Sequence, residues 1–256
     1  MKNQRDEMSE LNISNEEGIA CITINRPKVL NALSPDLLNS LINTCNTLRL
    51  DDNLKTVILR GSGENFSSGA DLPAFQTDLT QNPQTTADLG RLAAEALSSL
   101  PQITMAAIQG YCVGGAIVLA AACDIRVASE NSHFFIPEID AGIPLAWGGM
   151  DHLVRLVGAT LAADLVVTCR KFGADEALQS GFTSRTIKTE NFEKEISKIS
   201  KDISQKSNLA LKITKQQLIS IRNGNFDSRN DAKSMLKSIA DPEGKNIHNK
   251  YVSKLK

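Results

Sequence analysis

ITMAAIQGYCVGGAIVLAAA, residues 103–122, joins two elements of different character through glycine. Ile103 to Gln109 reads as a buried strand running into Gly110. Gly114 to Ala122 is small and apolar on every face, which suits a buried helix packed closely by its neighbours. A buried strand that turns directly into a buried helix predicts an α/β core. The turn itself, Gly110-Tyr111-Cys112-Val113-Gly114-Gly115-Ala116, has chemical potential. Free N–H groups at a helix start form an anion or oxyanion site, and glycine lets a ligand approach them.

Upstream, Ile19 to Asn25 alternates apolar and polar residues, and Thr56 to Leu59 is a short β-branched run ending near Gly61. Between them Ser34-Pro35 is an N-cap followed by a first-turn proline, and Leu37, Leu38, Leu41, Ile42, Cys45 and Leu48 continue at helical spacing. Thr85 to Leu100 reads as a further helix, and Cys123 to Ala128 and Ser132 to Ile136 as further strands. After Gly148 the pattern is helical, at about 150–157, 159–168, 173–180, 192–205, 208–222 and 228–238. We place a boundary near residue 190, dividing the chain into 1–190, which carries the site, and a helical part, 191–256. The run Leu209, Ile213, Gln217, Ile221 predicts an amphipathic helix that needs a partner surface.

The 256 residues are 41% hydrophobic and 22% charged, an ordinary globular composition. No apolar run is long enough for a membrane span, and Met1 to Glu10 alternates charges where a secretory leader needs an apolar stretch. Five scattered cysteines, without a C-x-x-C pair and with only three histidines, argue against a disulfide framework or a zinc site. A reducing compartment, the cytoplasm, is the expectation. Residues 188–256 hold 15 Lys and Arg against 8 Asp and Glu, and the rest 13 against 21, so a tail of +7 joins a body of −8. These lysines lie along amphipathic patterns without interleaved aromatics, which reads as solvated helix faces and not as a nucleic-acid surface.

Two more segments carry possible chemistry. Gly61-Ser62-Gly63-Glu64-Asn65-Phe66 has phenylalanine where a dinucleotide fingerprint needs its third glycine. The following Asn65-Phe66-Ser67-Ser68-Gly69-Ala70-Asp71-Leu72 is a turn of small residues after a strand. On spacing alone it fits an ordinary Gly/Ser/Asp turn, yet one N–H from it and one from the Gly115 turn would grip a single carbonyl oxygen. In Phe134-Phe135-Ile136-Pro137-Glu138-Ile139-Asp140-Ala141-Gly142-Ile143-Pro144 an acid is flanked by apolar residues. Glu138 there is either a loop glutamate or a desolvated general base with a raised pKa.

Taken together and in order, these segments resemble the crotonase superfamily, the enoyl-CoA hydratase/isomerase family. The resemblance runs over about residues 10–255. It includes Ile24-Asn25-Arg26-Pro27-Lys28-Val29-Leu30-Asn31-Ala32-Leu33, Cys123-Asp124-Ile125-Arg126 and Trp147-Gly148-Gly149. It implies an α/β spiral of ββα units with a helical C-terminal part covering the site of its own or a neighbouring subunit. It also implies a homotrimer or dimer of trimers, with an acyl-CoA thioester as substrate. No separate cofactor and no metal are implied, because CoA belongs to the substrate. By position, the N–H groups of Ser68 and Gly115 form the oxyanion hole and Glu138 is the catalytic acid or base. Lys28, Val29, Leu30, Ser67, Ala70, Asp71, Leu72 and Gly114 line the acyl-CoA site. Trp147 is either a core aromatic or a wall of the acyl pocket.

The sequence departs from this pattern in two places. A lysine often present before the phenylalanine of the second motif is Asn65 here. The second glutamate of typical hydratases, three residues past the oxyanion glycine, is Val118. Asp140 would point the same way as Glu138 in an extended segment, about 7 Å away. Hydration benefits from two carboxylates, whereas one base suffices to move a double bond, so the expectation is a Δ3,Δ2-enoyl-CoA isomerase with Glu138 as single proton shuttle. The alternatives are an enoyl-CoA hydratase of fatty acid β-oxidation and an acyl-CoA binding protein without turnover. Gly110-Tyr111-Cys112-Val113-Gly114 also fits the outline of a nucleophile elbow, which would need His133, His152 or His248 beside Cys112.

Overall fold

The computed structural model describes residues 9–255. Most of the charged stretch Met1 to Glu10 lies outside the described residues. The main sheet has six strands in the order β1 (Leu11–Glu16), β2 (Ile19–Ile24), β3 (Thr56–Gly61), β4 (Ile103–Ile108), β6 (Ile125–Ser129) and β9 (Arg185–Ile187). Only the β1–β2 pair is antiparallel. A second sheet joins β5 (Tyr111–Val113), β7 (His133–Phe135) and β8 (Phe172–Gly173).

Successive side chains of a strand point to opposite faces, and here both faces are covered. Ala20, Ile22, Ile24, Val57, Leu59, Ala106 and Ile108 meet the buried stripes of α1 (Pro35–Leu48), α3 (Pro83–Ser98) and α4 (Gly115–Ala122). Ile58, Met105, Ala107 and Val127 face the other way, onto Phe192, Ile196 and Ile199 of α7 (Phe192–Ser204). Near-continuous apolar strands follow from this two-sided burial. All eight residues of α4 are buried, as their composition predicts.

The parallel strands β2, β3, β4 and β6 are each followed by a short extended piece and then a helix. The pieces stack: Leu33 bridges Ala70, Ser67 bridges Cys112, and β5 pairs with β7. This repetition of strand, short strand and helix is the expected ββα spiral. The apolar periods after Gly148 form one helix, α5 (Gly149–Val167), whose backbone breaks at Gly158 (φ 77°, ψ 160°), between the two segments read from the sequence.

The sequence reading leaves several elements unassigned, among them the short strands β5, β8 and β9 and also β1, α2 (Leu72–Gln81) and α10 (Pro242–Ser253), of which the last three bury one residue, one residue and none. Without a buried stripe there is no period to read. The stripe expected on α8 (Asn208–Arg222) is only partly covered within the single chain. None of Leu209, Ile213 and Gln217 is fully buried and Ile221 is 56% exposed, whereas Lys215 is the fully buried residue of that helix. Helix α9 (Asp231–Ala240) also buries none of its side chains. No helix among the described residues is long and apolar enough to cross a membrane.

Candidate active site

The stacked pieces decide which amides are free. On one side of the 66–71 segment, Ser67 N–H donates to Tyr111 O (2.9 Å) and Val113 N–H to Ser67 O (3.1 Å). On the other, Ser68 N–H donates to Leu30 O (2.9 Å), Leu33 N–H to Gly69 O (2.8 Å) and Asp71 N–H to Leu33 O (2.9 Å). Extended backbone alternates its donors between the two sides, so the Ala70 N–H faces away from Leu33, toward the Gly115 turn. Neither the Ala70 nor the Gly115 amide has an acceptor among the described residues. The two turns touch: a Cβ on Gly69 would lie 2.6 Å from Val113 O and 3.6 Å from Gly115 N. The expected role of Ser68 is therefore corrected. Its N–H is consumed by Leu30, and the free donor of this turn is Ala70.

Ala70 and Gly115 line a cavity of about 270 Å³, together with Val118, Glu138, Trp147 and residues of α2. Two convergent N–H groups in an apolar recess suit an oxygen that gains negative charge, each worth about 3 kcal/mol to a developing oxyanion. Glu138 is the one titratable side chain on this wall among the described residues. Its Oε2 is buried with no hydrogen-bond partner there. Burial raises its pKa above the ordinary glutamate range, and a backbone hydrogen bond opposes this in part. A carboxylate in that state holds and releases a proton nearer neutrality, as a general base requires.

The carboxylate is positioned by a turn. Glu138 O accepts from Ala141 N (3.1 Å) and Ile143 N (3.0 Å), so the chain curls after Pro137. The curl sends Asp140 into solvent, away from the cavity wall. Gly114 adopts φ 52°, and a Cβ there would stand 2.6 Å from Glu138 Oε1. Gly114→Ala is thus expected to displace the carboxylate and strain the backbone. Turnover should fall more than about tenfold, the effect of a small misplacement, with near-parental circular dichroism. Parental kinetics would contradict this placement.

The remaining site residues of the sequence reading separate into three groups, while Gly114 stands against Glu138 without lining the cavity itself. Leu72, Trp147 and Ala70 line the cavity. Ser67 and Asp71 serve the turn instead. Ser67 Oγ accepts from Gly69 N (3.1 Å). Asp71 caps α2 by accepting from Ala74 N (3.2 Å), and pairs with Arg26 (2.9 Å). Lys28, Val29 and Leu30 are exposed on the 3-10 turn Pro27–Val29 and its end, outside the acyl cavity. Cys112 is fully buried, burial drives its thiol pKa well up, and its neighbour across the strand pair is Phe134. No histidine hydrogen-bonds it among the described residues, so the nucleophile elbow lacks a base. The sequence reading missed Phe75 and Leu79 on the cavity wall. Their only signal was Asp71 followed by Pro73, a capped helix start.

Similarity to known proteins agrees with this geometry. The family model described as enoyl-CoA hydratase/isomerase matches residues 14–254. The short-chain-enoyl-CoA hydratase of Clostridium acetobutylicum is 33% identical over 213 residues, 83% of this chain and 82% of that protein. The 2,3-dehydroadipyl-CoA hydratase of Escherichia coli is 32% identical over 212 residues, 82% of each chain. Among solved structures, an enoyl-CoA hydratase from Bacillus anthracis aligns with a TM-score of 0.82 at 27% identity, covering 90% of this chain and 89% of that one. An enoyl-CoA hydratase/carnithine racemase from Magnetospirillum magneticum aligns at 0.89 and 25% identity, covering 97% and 94%. With the shared match running through nearly the whole chain, this protein belongs to the enoyl-CoA hydratase/isomerase family.

Proposed function

We propose that the protein moves a double bond in an acyl-CoA thioester, converting a 3-enoyl to a 2-enoyl thioester, with Glu138 as the single proton shuttle. The Glu138 carboxylate takes the C2 proton, and the electron pair spreads over a dienolate. The charge on the thioester oxygen is held by the Ala70 and Gly115 amides. Glu138 then returns the proton to C4, so atoms and charge balance without any further group. One observation carries this reading: the cavity wall offers a single carboxylate, and the residue one helical turn past Gly115 is Val118. Val118 is 1% exposed, and its Cγ2 would stand 2.6 Å from a Cβ on Gly149. Among the described residues no second acid lines the cavity to share the activation of a water.

The names of the relatives favour hydration of a 2-enoyl thioester instead, and this is the second reading. A panel of 2-enoyl and 3-enoyl thioesters separates the two when product identity is followed. The expected result is a kcat/KM for the 3-enoyl substrate at least about a hundredfold above that for hydration, in line with the typical worth of one acid–base group. Efficient hydration by the unaltered protein would replace the isomerase reading. Turnover of neither, with tight acyl-CoA binding, would make the chain a binding protein.

We further propose that the CoA moiety passes Lys28, Val29 and Leu30, and that the chain assembles as a trimer or dimer of trimers. No described residue of the helical tail lines the cavity of its own chain. Met235, Leu236 and Tyr251 on the last two helices are 59%, 63% and 64% exposed, an apolar surface that a neighbouring subunit would cover. Light scattering is expected to give three or six chains per particle. A monomer at micromolar concentration would reject the assembly.

A further inference from the structure

Trp147 sits in the cavity at a cost the chain meets in three places. Its own φ is +60°, a region that bulky side chains rarely adopt. A Cβ on Gly115 would overlap the outer edge of its six-membered ring. A Cβ on Gly90 would overlap the fused part of the indole. Gly90 lies inside α3, where glycine is less stable than alanine by about 1 kcal/mol. The ring is not fully buried, lines the cavity, and meets Phe75 with centroids 5.8 Å apart. A core aromatic would not need an open face on the recess that also holds Glu138.

The rest of the recess is hydrocarbon. Leu72, Phe75, Leu79, Val118 and Leu145 line it, and no cationic or amide side chain among the described residues does. A second carboxylate at the end of an acyl chain would be desolvated there without a partner and near Glu138, which is strongly unfavourable.

Resting on the acyl-CoA reading above, we propose that Trp147, seated on Gly90 and Gly115, is the specificity wall of this site. It restricts substrates to uncharged hydrocarbon acyl chains and sets the length at which they stop fitting. Gly90 acts through it as a positioning residue. Truncating the indole lengthens the accepted chain. A methyl group at position 90 pushes the ring into the recess and shortens it.

Saturated acyl-CoA thioesters test this without reference to the reaction catalysed. Calorimetric affinities would be measured from butyryl- to dodecanoyl-CoA, and for adipyl- against hexanoyl-CoA. For the parent, affinity should rise with length to a limit and then fall, and adipyl-CoA should bind at least about tenfold more weakly than hexanoyl-CoA. Trp147→Phe should move the limit upward by about two carbons and Gly90→Ala downward. Each shift should change the affinity for the chain at the limit by about tenfold or more, the usual worth of one misfit methylene. Near-parental circular dichroism would confirm that both variants fold. Folded variants that keep the parental length profile would overturn the wall, as would equal binding of adipyl- and hexanoyl-CoA. Failure of the parent to bind any acyl-CoA would instead reject the functional reading and this inference with it.

Discussion

Glu138→Gln is expected to lower turnover by at least about a hundredfold while the affinity for a saturated acyl-CoA stays near the parental value. Glutamine keeps the shape of the side chain on the Gly114 turn and removes only the capacity to take a proton. No other titratable side chain among the described residues lines the cavity to replace it. Retained turnover would remove Glu138 from the mechanism. Because burial raises the Glu138 pKa, the acid limb of the activity profile should lie above the ordinary glutamate range. The same shift has a stability consequence of definite sign. The folded state holds this proton more tightly than the unfolded chain, so the favourable contribution is fully present below the unfolded pKa and is lost as pH rises through the folded value. At neutral pH the ionised carboxylate therefore costs stability, and Glu138→Gln should be more stable than the parent there. Chemical denaturation at two pH values reads this directly, and a variant less stable at neutral pH would contradict it.

Lys215→Met is expected to destabilise the fold by about 3–5 kcal/mol, the usual cost of leaving one partner of a buried ion pair alone. Lys215 Nζ lies 2.7 and 2.6 Å from the two carboxylate oxygens of Asp124, with the side chains 0% and 8% exposed. Asp124 Oδ2 also accepts from Thr104 N (2.8 Å) and Thr104 Oγ1 (3.0 Å), which ties β4 to the residue preceding β6. Burial lowers the Lys215 pKa and the Asp124 charge opposes that. The pair fastens α8 to the starts of the interior strands β4 and β6, so its loss should loosen the helical tail first. A fall in melting temperature of about 10 °C is expected for a chain of this size. A change within about 1 °C would show that Asp124 is satisfied by Thr104 alone.

The two results probe different levels of legibility. From its apolar flanks Glu138 is either a loop glutamate or a desolvated base, and its position in the family resemblance selects the second. Lys215 carries no such mark. In the sequence it is one of many tail lysines on an amphipathic pattern, and its partner is 91 positions away. A hydropathy pattern assigns lysine to solvent, so the stripe Leu209, Ile213, Gln217, Ile221 stands out and the buried Lys215 beside it does not. The oxyanion donors divide in the same way. Gly115 is marked by the glycine turn and the buried helix after it. Ala70 was separated from Ser68 only by the direction in which each amide points, which depends on the strand pieces on either side.

Local chemistry therefore determined the central strands, the buried helix α4 and the turn at Gly114 and Gly115, while the family resemblance singled out the acid at Glu138 and the absence of a second acid at Val118. The first three rest on periodicity, on residue type or on glycine, all of which act within a few residues. Tertiary structure decided which amides remain free, which lysine is buried, how Trp147 is seated over Gly90, and where the weakly patterned α2 closes the recess. Those outcomes depend on contacts between segments distant in the chain. Packing and hydrogen-bond direction, not composition, select among side chains and amides that look equivalent in the sequence.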